Sequence, residues 1–139
     1  TKTSIGIFES FISCWHEKYR TNVIRPETYI NLYIDEDWKP QLQTPPFPEY
    51  TSGHSVVSSC SAVILTEIFG DNFSYTDDSE LPFGLPKRNF KSFNQAASEA
   101  SISRLYGGIH YRAAIENGVE QGTNLANYIN KKINFFKSK

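Results

Sequence analysis

The chain has 139 residues, the size of one domain and enough to bury a hydrophobic core. Its 14 basic and 15 acidic residues nearly balance, which argues against a nucleic-acid binder that works through bulk positive charge. Hydrophobic residues make up 39% of the chain, too many for a disordered protein, and no apolar run approaches the roughly 20 residues that span a bilayer. Cys14 and Cys60 make neither a disulfide framework nor a zinc site, and we expect both to be buried as small hydrophobic side chains.

Helical periodicity begins near the start of the chain. Apolar residues recur every three or four positions over residues 4–19, which predicts an amphipathic helix with the bulky side chains as packing residues. These are Ile5, Phe8, Phe11, Ile12, Trp15 and Tyr19. Arg25-Pro26 interrupts or restarts the helix, because proline fits best in a first turn. Four prolines within residues 40–50 exclude a regular helix and predict an extended, ordered loop.

Three further helices are predicted after this loop, over residues 53–69, 90–106 and about 110–135. Gly118 and Gly122 weaken the last of them. The polar stretch 71–87 is expected to be a surface loop, and no segment has a strand pattern of convincing length. The fold class is therefore all-α, a helical bundle.

The sequence begins at Thr1 and contains no Met, so we expect a processed or trimmed chain. We predict that residues 1–139 form a single helical catalytic domain, as the C-terminal part of a larger protein. Because the first predicted helix starts almost at once, we also expect an upstream chain segment or an oligomer partner to supply further helices.

The first of three polar clusters consists of Lys18 and Arg25. Their spacing of seven residues is about two helical turns, so a single helix would present both on one face. Two cations on one face repel each other unless an anion lies between them. The alternative is a solvated basic face.

The second cluster is Thr51-Ser52-Gly53-His54, at the start of a predicted helix. Thr51 or Ser52 can cap that helix, and Gly53 lets the backbone approach a ligand. The free N–H groups of the first turn form an anion site, beside which His54 can exchange a proton. The alternative is an ordinary capped helix with a surface histidine.

The third cluster runs from Arg104 to His110. The planar guanidinium of Arg104 suits a tetrahedral oxyanion. Gly107 and Gly108 allow a sharp turn that returns His110 to the same point, where it can act as a nucleophile or a metal ligand. The alternative is a helix that simply ends at glycine. In a chain of balanced charge, the three clusters together favour one shared anion site.

These blocks resemble the superfamily that joins vanadium-dependent haloperoxidases to type 2 phosphatidic acid phosphatases and bacterial acid phosphatases. Its signature is Lys-x6-Arg-Pro, then Pro-Ser-Gly-His, then Ser-Arg-x5-His-x3-Asp. The chain has Lys18-x6-Arg25-Pro26, Thr51-Ser52-Gly53-His54 and Ser103-Arg104-x5-His110. The residues around these blocks are more similar to the bacterial haloperoxidase-related branch than to the small phosphatases.

The resemblance implies a site that holds the oxygens of vanadate, with phosphate as an alternative occupant. The residues implied to bind those oxygens are Lys18, Arg25, Ser52, Gly53 and Arg104. His54 is the implied acid–base group. His110 is implied to be the vanadium ligand of a haloperoxidase or the nucleophile of a phosphatase.

Two positions depart from the family pattern. Thr51 replaces a proline, and Ala114 stands where the family has an aspartate. In the phosphatases that aspartate orients the nucleophilic histidine, so its loss should cost a phosphatase more than an enzyme whose histidine only ligates. Glu116 lies two residues on, but on a different helix face. The departure at Ala114 therefore favours the haloperoxidase interpretation over the phosphatase, and it equally supports a degenerate anion-binding relative with little turnover.

Three functions remain open at this point. The favoured one is a vanadate-dependent haloperoxidase that oxidises a halide with hydrogen peroxide. The second is a phosphomonoesterase that acts on a phosphate ester, and the third is a non-catalytic phosphate-binding relative. No nucleic-acid partner and no membrane span are expected. The resemblance implies an exported or periplasmic bacterial protein.

Overall fold

The computed structural model describes residues 1–133 and is mainly helical. Its helices are α1 (Lys2–Thr21), α2 (Pro26–Tyr33), α3 (Gly53–Phe69), α4 (Phe93–Tyr106) and α5 (Arg112–Lys132). The predicted all-α bundle is confirmed, while the predicted extension of the last helix beyond residue 133 lies outside the described residues. Within residues 1–133, no helix is both long and apolar enough to cross a membrane.

Helix α3 lies at the centre of the bundle and packs against α1, α4 and α5. Cys60 and Ile64 of α3 form the middle of the core with Ala126 and Ile129 of α5. Cys14 and Cys60 are both free and fully buried, as predicted. The N-terminal end of α3, which carries one of the predicted clusters, is thus fixed by helices on several sides.

The first helix is confirmed, but its packing face is not the predicted one. The buried face of α1 carries small residues at every fourth position, namely Gly6, Ser10 and Cys14. Phe8 and Phe11 are 64% and 48% exposed, so neither lies in the core, although Phe11 stacks on Trp15 with 3.8 Å between ring centroids. A Cβ on Gly6 would come within 2.4 Å of Ile64 Cδ1. The small residues are buried because α1 approaches α3 too closely for large side chains to fit.

The chain breaks between α1 and α2, so Lys18 and Arg25 do not share a helix. Asn22 ends α1 in the left-handed conformation, with a φ of 49°. Arg25 is the extended residue before α2, and Pro26 is its first residue. The predicted restart at Pro26 is confirmed. The prediction that one helix presents both cations is wrong, because Asn22 and Pro26 stop the helix between them.

A small β-hairpin occupies the stretch predicted to be a loop. Strands β1 (Tyr75–Asp77) and β2 (Arg88–Phe90) pair antiparallel. Strands of three residues are too short to show an alternating pattern in the sequence. Helix α4 therefore begins at Phe93 and not at residue 90. Ser92 Oγ caps the helix by accepting a hydrogen bond from Gln95 N.

Helix α5 runs without a break through both glycines that were predicted to weaken it. A Cβ on Gly122 would lie 2.2 Å from the backbone oxygen of Val56, and a Cβ on Gly118 would lie 3.1 Å from that of Ser52. The two glycines therefore let α5 pack directly against the backbone of α3. This contact holds the first turn of α3 in place.

Replacing Gly122 with alanine is expected to destabilise the protein by about 1–3 kcal/mol, because α3 and α5 must separate to admit the new methyl group. Thermal unfolding followed by circular dichroism measures this effect. Gly53→Ala is the matched control for stability, since its Cβ would meet Trp15 at an ordinary 3.5 Å. Equal melting temperatures for the two variants would contradict the predicted close packing.

Candidate active site

Lys18 ties the proline-rich loop to α1. Its side chain is fully buried, and Nζ donates to the backbone oxygens of Pro48, Glu49 and Thr51 at 3.0, 2.9 and 2.6 Å. Burial lowers the pKa of Lys18 to about 8. All three ammonium protons thus serve the loop that leads into α3.

Arg25 joins the same loop to the segment that follows α4. Its Nε donates to Phe47 O at 3.0 Å, and its Nη1 donates to Ile109 O at 2.8 Å. The guanidinium also lies over the Phe47 ring, with Cζ 5.2 Å from the ring centroid. Nη1 is 3.1 Å from His110 Nε2. Arg25 therefore brings a positive charge to the imidazole of His110.

The second predicted cluster lies at the start of α3. Ser52 is fully buried, and its Oγ accepts a hydrogen bond from Ser55 N at 3.4 Å, which confirms the predicted cap. Gly53 is the first residue of the helix, and no backbone atom lies where its Cβ would be. The N-terminal end of α3 therefore offers backbone donors at a residue that has no side chain of its own.

Arg104 and His54 face each other across the site. Arg104 Nη1 is 3.4 Å from His54 Nε2, and Arg104 Nε donates to Ser103 Oγ at 3.1 Å. Partial enclosure by protein atoms lowers the pKa of His54, and the positive charge of Arg104 lowers it further. His54 is therefore held in its neutral form at neutral pH, ready to accept a proton.

His110 reaches the site through the predicted glycine turn. Gly108 has a φ of 74°, a conformation that favours glycine, and His110 is 5% exposed. Its Nδ1 is 2.6 Å from Glu49 Oε1, while its Nε2 faces Arg25. Burial lowers the pKa of His110, although its hydrogen bond to the Glu49 carboxylate opposes this.

One cavity of about 560 Å³ brings most of the predicted residues together. The predicted site residues in its wall are Arg25, Gly53, His54, Arg104 and His110. Aromatic side chains, including Trp15 and Phe47, complete the wall. Lys18 and Ser52 do not line the cavity; they lie behind it and hold the loop and the helix end in place.

The electrostatics of this cavity favour an anion. Within residues 1–133, neither Arg25 nor Arg104 has a carboxylate oxygen within 4.0 Å. A buried or half-buried guanidinium group without a contacting carboxylate is costly, and a tetrahedral oxyanion matches its donor geometry. The end of α3 adds backbone donors. The residues present therefore fit vanadate or phosphate.

Glu49 is the functional residue that the sequence analysis missed. Ala114 is fully buried and supplies no carboxylate, and Glu116 is an exposed residue 4.0 Å from Arg112. The inference that His110 lacks an orienting carboxylate is nevertheless wrong, because Glu49 reaches it from the loop. The available signal was an acidic residue inside an apolar, proline-rich segment. The substitution at Ala114 therefore does not separate a haloperoxidase from a phosphatase.

Comparison with known proteins assigns the family. Residues 32–138, about three quarters of the chain, match the model of the VCPO second helical-bundle domain. No curated protein sequence matches significantly.

Two solved structures show how far the likeness extends. A bacterial vanadium-dependent iodoperoxidase shares 66% sequence identity over 96% of this chain and 33% of its own, with a TM-score of 0.95. A bacterial vanadium-dependent chloroperoxidase in its holo form shares 17% identity over 94% of this chain and 34% of its own, with a TM-score of 0.78, which shows the fold alone. The chain thus spans about a third of the length of these relatives. It belongs to the family of the VCPO second helical-bundle domain, and the solved structures it resembles are vanadium haloperoxidases.

Proposed function

We propose that this chain forms the vanadate-binding part of a haloperoxidase-like enzyme that oxidises a halide with hydrogen peroxide. The observation that carries the proposal is a cavity lined by Arg25, Arg104 and His110, with Arg25 next to His110 Nε2. Among the residues that the structure describes, neither arginine has a carboxylate partner. The 66% identity to a vanadium-dependent iodoperoxidase supports it and makes iodide the proposed halide.

Each side chain in the cavity has a distinct part in this proposal. His110 would bind vanadium through Nε2, and Arg25 and Arg104 would donate hydrogen bonds to vanadate oxygens. The backbone N–H of Gly53 would add a further donor. Lys18 supplies positive charge from behind the loop while it holds the loop carbonyls, and Ser52 fixes the helix end.

Vanadate, when bound, supplies the Lewis-acid centre at which hydrogen peroxide becomes reactive towards a halide. His54 is the proposed acid–base group, because its imidazole lies next to Arg104 and its lowered pKa keeps it neutral and able to accept a proton. Trp15 and Phe47 limit the access of water to the cavity.

A second candidate function is a phosphomonoesterase. The observation that favours it is the hydrogen bond between Glu49 and His110 Nδ1, since a carboxylate in this position also activates a nucleophilic histidine. The same pocket accepts phosphate and vanadate because both are tetrahedral oxyanions. The assay must therefore distinguish oxidation from ester hydrolysis.

Protein freed of metal and phosphate is expected to gain peroxide-dependent oxidation of iodide when orthovanadate is added. Triiodide absorbance measures this activity, and p-nitrophenyl phosphate hydrolysis is measured in parallel. Arg112→Ala is a matched control, because Arg112 is exposed and lies outside the cavity. Hydrolysis without halide oxidation would support the phosphatase instead. Phosphate binding with neither activity would contradict both enzymatic proposals.

A further inference from the structure

Glu49 is a buried carboxylate whose position is fixed by its own backbone. Its residue is 1% exposed. Its backbone N donates to Val23 O at 2.9 Å, and its backbone oxygen accepts from Lys18 Nζ at 2.9 Å. The loop that carries Glu49 is therefore held on both sides, by α1 and by the connection to α2. Such a carboxylate has little freedom to turn away from its partners.

One oxygen of the carboxylate contacts two nitrogen atoms. Oε1 lies 2.6 Å from His110 Nδ1 and accepts a hydrogen bond from Tyr111 N at 3.1 Å. These two nitrogen atoms belong to consecutive residues just before α5. Glu49 thus fixes both the ring of His110 and the backbone that follows it.

The neighbours of His110 decide which ring nitrogen carries the proton. Ionised Glu49 can only accept at Nδ1, whereas Arg25, 3.1 Å from Nε2, can only donate. The hydrogen-bond network is therefore satisfied by a neutral ring with its proton on Nδ1 and its lone pair on Nε2. Arg25 and Glu49 together exclude the opposite tautomer.

We propose that Glu49 is a positioning residue that keeps the proton of His110 on Nδ1 and so presents the Nε2 lone pair to the anion cavity. It replaces, from the loop before α3, the carboxylate that is absent at Ala114 on α5. The proposal rests on the proposed function only in treating His110 as the residue that binds the anion.

The first test is the tautomer of His110 in the ligand-free protein, read from two-bond proton–nitrogen NMR correlations. We expect the pattern of a neutral ring protonated on Nδ1. A ring protonated on Nε2 would overturn the proposal. This measurement needs no variant and no turnover, so a failure of the peroxidase assay leaves it unaffected.

The second test is Glu49→Gln, which keeps the side-chain size but removes the charge and allows an amide N–H to face Nδ1. We expect a mixed or reversed tautomer and a loss of about 10- to 100-fold in affinity for orthovanadate and for inorganic phosphate, measured by calorimetry. Glu116→Gln is the matched control and should change neither readout, because Glu116 is exposed and lies next to Arg112. A folded Glu49→Gln protein with the affinity and tautomer of the wild type would refute the role. If this variant does not fold, the His110 tautomer read from the wild-type NMR spectrum decides whether the proposal stands.

Discussion

Replacing His110 with alanine is expected to lower the affinity for orthovanadate by more than about 100-fold, since loss of a direct ligand should exceed the effect of losing an outer partner. The imidazole Nε2 is the atom proposed to bind vanadium. Arg25 cannot replace it because a guanidinium has no lone pair to donate. Peroxide-dependent iodide oxidation should fall with the affinity. Calorimetric titration with orthovanadate measures the change.

The same substitution leaves the buried carboxylate of Glu49 without its imidazole, so the fold of the variant has to be checked by circular dichroism. His110→Gln serves where the alanine variant is unstable, because its amide N–H can still donate to Glu49. Unchanged vanadate affinity in either folded variant would remove His110 from the site.

Replacing Arg104 with alanine is expected to weaken the binding of orthovanadate and phosphate by about 10- to 150-fold. This change in affinity corresponds to the free energy of one charge-assisted hydrogen bond. The fold should persist, since within residues 1–133 the Arg104 side chain makes hydrogen bonds only to Ser103 and His54. Arg112→Ala should leave the affinity unchanged.

A second readout of Arg104→Ala is the pKa of His54. The positive charge of Arg104 is one cause of the lowered value, so its removal should raise the pKa of His54 towards the ordinary 6.5. An NMR titration of the ring protons measures the midpoint. A downward shift, or equal anion affinity in variant and wild type, would contradict the proposed place of Arg104 beside His54.

The sequence was sufficient to predict the helices that carry the site. Ser52 caps α3 as its residue type predicts, and the glycine pair after α4 returns His110 to the cavity. These predictions hold because capping and glycine turns depend on residues close together in the chain. The face of α1 was not predictable in this way. Hydrophobic periodicity points to the bulky residues, while burial follows the close approach at Gly6.

Contacts between residues far apart in the chain could not be predicted from the sequence either. Lys18 and Arg25 meet at the proline-rich loop and not along a helix, because both donate to Pro48 O at 3.0 and 3.4 Å. Glu49 lies 61 residues before His110, and no spacing rule connects them. A search for the missing carboxylate on the same helix as Ala114 could not find one that comes from a loop.

The central claim is that one tetrahedral oxyanion lies between His110, Arg25 and Arg104. A crystal structure of the protein soaked with orthovanadate tests it most directly. We predict vanadate in the cavity, bonded to His110 Nε2 and hydrogen-bonded to both guanidinium groups. Vanadate bound elsewhere, or in the cavity without contact to His110, would contradict the account.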